Sequence, residues 1–201
     1  MAGNAIDKHV VDTNVLLVAS AFLETSPFRE KTPVHEETEL QRRVLEWLEC
    51  LERDNGRKVV LDLDSYILDE YHNKLSYQDY GLMMILQKRD YGLVEEALFD
   101  VDQDGHAVLP HDLEQVIHDR ADRKMIAAAL YVGGREAGCN IVNACDTDWY
   151  DWEQSLLDAG IRAIAYKFLF IILLLPDIMH IFLATESGYC HPSGSVESVS
   201  V

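Results

Sequence analysis

The sequence predicts an α/β fold in three layers, with a central, mostly parallel sheet and helices on both faces. Three observations carry this. Short runs rich in apolar and β-branched residues, at 10–12, 58–63, 140–143 and 161–166, are separated by segments of helical spacing, the alternation that strands joined by helical crossovers produce. Within them Val10–Val11, Val59–Leu61 and Ile141–Val142 are unbroken apolar stretches, as in strands of a parallel sheet covered on both faces. The first of them, VVDTNVLL at 10–17, ends on a carboxylate and turns at once into a helix. In an open α/β sheet, the carboxyl ends of strands are where ligands bind.

The elements follow in order. Val10 to Asp12 is the first strand, and Asn14 to Glu24 the first helix. Thr25 to Pro33, with two prolines, is a loop. His35 to Asp54 repeats apolar residues at Leu40, Val44, Leu45, Trp47, Leu48 and Leu51, a helical face, and Asn55-Gly56 ends it. Lys58 to Leu63 is the second strand; Asp64 or Ser65 caps a helix through Lys74, and Tyr77 to Gln87 forms another. Residues 90–119 hold nine acids and no Lys or Arg, and are read as an acidic insert. Within it, ALFDVDQDGHAVLP reads as a short hairpin with a Gly turn, and His111 to Ile117 as a short helix. Arg120 to Arg135 is a stronger helix, Asn140 to Asn143 a strand, Thr147 to Asp158 a helix closed by Gly160, and Ile161 to Tyr166 the last strand.

One domain is expected over residues 1–167, including the insert. Residues 168–201 form an apolar segment and a tail containing Ser and Gly. The apolar part, FLFIILLLPDIMHIFLA, is at the short limit for a membrane span and contains Pro176, Asp177 and His180. Packing on the domain or a partner is preferred to a membrane anchor; a tail foreign to the domain is the third reading.

The balance of 17 Lys and Arg against 35 Asp and Glu gives a net charge of −18. This excludes tight nonspecific nucleic-acid binding by a broad basic face, and leaves open a local basic groove or a cation-mediated contact. Cys50, Cys139, Cys145 and Cys190 form no CxxC pair and no zinc spacing. They are expected to be thiols in a reducing cytoplasm. The N-terminus has no basic region followed by an apolar core, so no secretory leader is expected.

Acids recur at strand-to-helix transitions in four motifs: VVDTNVLL with Asp12, ILDEYHNKL with Glu70, HDRADRKMIAAAL with Asp119 and Asp122, and IVNACDTDW with Asp146 and Asp148. Their order resembles that of the PIN-domain ribonucleases, over roughly residues 6 to 166. The resemblance implies a metal-dependent endoribonuclease with Mg²⁺ or Mn²⁺ held by Asp12, Glu70, Asp122 and Asp146. Asp148 is an alternative fourth ligand or a supporting acid. Thr13 or Asn14 would orient Asp12 or a bound water, and Asp119 would support or cap the helix of Asp122. The residue types suit that chemistry, since hard divalent ions take oxygen ligands and activate water for phosphodiester hydrolysis.

The implied substrate is RNA. The resemblance also implies an antitoxin-like protein partner and a homodimer, by analogy with small toxins of the family. The chain departs from the pattern at Ala144, where a Ser or Thr is common, in its acidic insert and in its apolar tail. Two rivals stand beside this reading: a non-catalytic binding module acting through a protein partner, and a DNA nuclease or phosphatase using the same acids.

Other signals have plainer readings. Arg120, Arg123 and Lys124 either grip substrate phosphates or are solvated helix charges. Trp149 and Trp152 either stack on a base or belong to the core. Asp100, Asp102, Asp104 and Gly105 begin like an EF-hand loop, but His111 stands where the bidentate Glu belongs, so a turn is preferred.

Overall fold

The computed structural model describes residues 7–23, 26 and 36–165. The tail at 168–201 and most of the loop at 25–33 lie outside them. Five strands form one all-parallel sheet in the order β3-β2-β1-β4-β5: β1 Asp7–Val11, β2 Arg57–Asp62, β3 Val94–Ala97, β4 Cys139–Asn143 and β5 Arg162–Ala165. The register pairs His9 with Val59 on one side of β1 and with Asn140 on the other. Val10, Val11, Val59, Val60 and Ile141 are completely buried, which accounts for their unbroken apolar runs.

Helix α1 (Thr13–Ala21) is apolar on nearly every side because α2 (Thr38–Arg53) and α4 (Tyr80–Asp90) both pack on it. On α2, Leu40, Val44, Leu48 and Leu51 face the core, while Glu39 pairs with Arg42 and Arg43 on the outer side. Close approach of α1 and α4 depends on Gly81. A Cβ there would lie 2.8 Å from both the Cβ and the carbonyl oxygen of Leu16, and the Gly81 N–H donates to Ser20 Oγ at 3.0 Å. Helix α3 (Tyr66–Lys74) follows β2, and α6 (Arg123–Tyr131) packs along β1 through β4.

Several expectations need correction. Neither Asp64 nor Ser65 caps α3 by its side chain. Asp62, the last residue of β2, does so, accepting the N–H groups of Tyr66 and Ile67 at 2.8 Å each, while Ser65 turns the chain at a φ of 68°. The acidic insert contains an unforeseen parallel strand, β3. Its Glu95 accepts from Lys8 at 2.8 Å and Lys58 at 2.9 Å, bridging three strands.

The hairpin is reduced to one antiparallel bridge between Val101 and Ala107, and the helix beyond it, α5, covers only His111–Glu114. The helix foreseen at 120–135 is α6 followed by a 3-10 turn at Gly134–Ala137. There, a Cβ on Gly134 would lie 2.5 Å from the Gly160 carbonyl oxygen. The helix foreseen at 147–158 breaks at Trp152 into α7 (Asp148–Asp151) and α8 (Glu153–Asp158). Among the described residues, no helix is long and apolar enough to cross a membrane.

Candidate functional site

Strand order locates the site. The chain steps from β1 outward through β2 to β3, then returns to the other side of β1 for β4 and β5. Connections leaving β1 and β4 therefore diverge at their carboxyl ends and open a crevice, the switch point where open α/β sheets bind ligands. Asp12 follows β1 directly, and its N–H still bonds to Val142 of β4 at 2.9 Å. The Asn14 side chain crosses the same crevice, where its Oδ1 accepts the Ala144 N–H at 2.8 Å.

An open pocket of about 550 Å³ occupies this position. Its lining includes Asp12, Thr13, Asn14, Glu70, Asp119, Asp122, Lys124 and Asp146. The four acids foreseen as ligands are thus brought to one pocket, and Thr13, Asn14 and Asp119 line it with them. Asp12 is buried. Its Oδ1 accepts the Asn14 N–H at 3.0 Å and its Oδ2 the Trp149 indole N–H at 2.8 Å. Burial nevertheless dominates, and with Asp146 and Glu70 opposing ionisation it raises the carboxyl from 3.8 to about 7. Asp122 is raised to about 8, first by burial and then by Asp12, Asp119, Asp146 and Glu70.

The supporting groups differ from expectation. Thr13 orients Glu70, donating to its Oε1 at 2.5 Å, and does not orient Asp12. The Lys124 ammonium sits 2.5 Å from Glu70 Oε2. Arg120 turns away to the insert, 2.5 Å from Asp102 and 3.3 Å from Asp104. Arg123 is spent on the Glu114 and Ile117 carbonyls. Of the three, Lys124 alone lines the acidic pocket; Arg120 and Arg123 are engaged outside it. Asp148 is exposed at the start of α7, outside the lining. Its N–H donates to Asp146 Oδ1 at 3.0 Å.

Other residues shape the site, and of these only Trp149 was singled out from sequence. Tyr66, Asp69, Asn73 and Lys74 join Glu70 along the lining, at the three- and four-residue spacings that place side chains on one helical face. Buried Asn143 organises the turn that carries Asp146, donating to its carbonyl at 2.6 Å and accepting its N–H at 3.0 Å. Trp149, foreseen as a core or stacking residue, is in the core (2% exposed) and steadies Asp12. Tyr71 donates its hydroxyl to the Val11 carbonyl, tying α3 to β1 beside Asp12.

Among the described residues, no three His, Cys, Asp or Glu side chains are gathered closely enough to hold a metal ion as they stand. The bonding explains this: Glu70 is drawn to Thr13 and Lys124, while both oxygens of Asp12 face internal donors. No protein-family model, curated protein or solved structure matches the chain.

Proposed function

We propose that the chain is a PIN-like endoribonuclease of the cytoplasm that hydrolyses RNA phosphodiester bonds with Mg²⁺ or Mn²⁺. Convergence is the observation that carries the reading. Four acids from widely separated segments share one pocket at the switch point, where the ionisation of Asp12 and Asp122 is opposed. A divalent cation would relieve that opposition, and an all-oxygen donor set suits a hard ion that keeps several waters. Asp12, Glu70, Asp122 and Asp146 would hold it, with Glu70 leaving Lys124. Bound there, such an ion supplies an acidified water and stabilises charge developing on the phosphate.

The chain's own residues do the positioning. Asn14 and Trp149 fix Asp12, Thr13 fixes Glu70, and Asn143 fixes the backbone of Asp146. Lys74 and Lys124 bring positive charge to the lining, where a substrate phosphate would lie. With a net charge of −18, nucleic-acid contact is confined to this local, cation-dependent patch.

A second reading, a non-catalytic binding module, draws support from the Lys124–Glu70 pair and from the absence of three gathered ligands among the described residues. Short RNA and DNA strands incubated with Mn²⁺, using the full chain and Asp12→Asn, separate the two. The nuclease reading expects RNA cleavage that needs the metal and is abolished by the substitution. Equal, metal-independent cleavage by both proteins overturns it; no cleavage by a folded protein favours the binding module.

A further inference from the structure

Beside the acidic pocket lies a second, smaller notch of about 60 Å³, lined in part by Tyr66, Phe99, His106, Arg120 and Lys124. Tyr66 and Lys124 belong to both cavities, so the notch opens directly off the candidate site. Its composition is unlike its neighbour's. The Tyr66 and Phe99 rings lie 6.2 Å apart, tilted by 34°, and both are only half-buried. Arg120 adds a third planar group. Its charge is balanced by Asp102 and Asp104 of the insert, and Asp102 is itself fixed by the N–H groups of Asp104 and His106 at 2.9 and 3.0 Å. The acids of the insert therefore hold the Arg120 guanidinium on the notch that the two aromatic rings also line.

We propose that this notch is a nucleobase subsite, taking one unpaired base of a single-stranded substrate whose phosphate lies toward Lys124 and the acidic pocket. Planar π-faces stack on aromatic rings and on guanidinium groups, which is how unstacked bases are held on proteins. A base in a duplex is occupied on both faces by its neighbours, so occupancy of the notch selects single strands. An acidic peptide, the other occupant an arginine could attract, is disfavoured because Arg120 is already paired with two carboxylates. This inference rests on the nuclease reading for the identity of the ligand, and assigns the acidic insert a role in substrate selection.

Two labelled chains of equal length distinguish the possibilities: a single-stranded hexanucleotide, and a base-free tetrahydrofuran phosphate chain. Binding is followed by fluorescence anisotropy in Mg²⁺ at low temperature, and cleavage by gel in Mn²⁺. The base-bearing chain is expected to bind about tenfold or more tighter than the base-free one, the scale of one base stacked on an aromatic ring. Phe99→Leu, which keeps apolar volume against the core but removes the plane, should erase most of that difference while leaving base-free binding unchanged. Exposed Arg120→Gln should lower it several-fold without endangering the fold, and thermal unfolding verifies both variants.

Equal affinity for the two chains, equal losses on both chains in the variants, or no binding of either chain overturns the subsite. Base-dependent binding through Phe99 without cleavage keeps the subsite and removes the catalytic reading. Cleavage indifferent to the bases does the reverse.

Discussion

Replacing Asp122 with Asn is expected to stabilise the metal-free protein at neutral pH. In the folded chain this carboxyl is raised from 3.8 to about 8, by burial first and then by Asp12, Asp119, Asp146 and Glu70. Between those values the native state retains a proton that the unfolded chain has released. Stability therefore falls as pH rises through this window, by about 1.4 kcal/mol per pH unit for a single group. Carried to pH 7.5 the ceiling is about 5 kcal/mol. Partial contact with solvent and sharing of protons with Asp12 reduce this to on the order of 2–3 kcal/mol.

Asn has the same shape and no charge, so it removes the penalty. For a chain of this size, that gain corresponds to a rise in Tm of roughly 4–12 °C. The assay is thermal unfolding by circular dichroism in EDTA, at pH 7.5 and at pH 5. The advantage should shrink to about a third at pH 5, because most of the window lies above it. Added Mn²⁺ should raise the Tm of the unsubstituted chain more than that of the variant, since a ligand stabilises in proportion to its affinity for the folded state. An Asp122→Asn protein no more stable than its parent in EDTA at both pH values would refute the claim that burial and the neighbouring acids oppose the ionisation of Asp122.

Two further substitutions test the frame of the site. Trp149→Phe keeps the packing against Trp152 but deletes the indole donor to Asp12 Oδ2. It should raise the Asp12 carboxyl further and cost about 1–2 kcal/mol in urea unfolding at pH 8, where the acceptor is charged. The cost should be smaller at pH 5, and an equal loss at both would argue against a charged acceptor. Gly81→Ala forces a methyl group to within 2.8 Å of Leu16; separating α1 from α4 is expected to outweigh the better helix propensity, for a net loss of about 1–2 kcal/mol. A gain in stability would show that the two helices are not in tight contact.

What was legible in the sequence follows from where each residue's partners lie. Strands β1, β2 and β4 could be read because both of their faces are covered, and apolar side chains stand at consecutive positions. Asp12 could be read because it ends an apolar strand, and Glu70, Asp122 and Asp146 because their motifs follow it in a recognisable order. Strand β3 could not. It lies at the sheet edge, and its Glu95 and Glu96 make it look like part of an acidic loop, yet Glu95 is satisfied by Lys8 of β1 and Lys58 of β2, both far away in sequence. Asp62 was hidden for the opposite reason: it sits within an apolar strand pattern, and only the positive φ of Ser65 brings the two following N–H groups onto its carboxylate. Arg120 and Arg123 illustrate a third limit. Both flank Asp122 in sequence, but Arg120 stands in the turn before α6 and reaches the insert, while Arg123, the first residue of α6, reaches the carbonyls behind it.

The polar residues outside the acidic four carry the geometry of the site. A carboxylate placed after a strand is by itself only a helix cap, and Asp12 does accept an N–H of α1. What sets it apart from a plain cap is the divergence of the chain at β1 and β4, because the groups that hold it come from across the crevice: the Trp149 indole from α7 and, through Asn14, the backbone of Ala144. The same holds for Glu70, which a cap on β2, a hydroxyl on α1 and an ammonium on α6 jointly position. Each link joins two elements at the carboxyl end of the sheet. Repulsion among the acids is tolerated there because the hydrophobic core beneath, Val10, Val11, Val60 and Ile141, is complete without them. An assembly that strains only its rim can change the partners of these acids without disturbing the layers below.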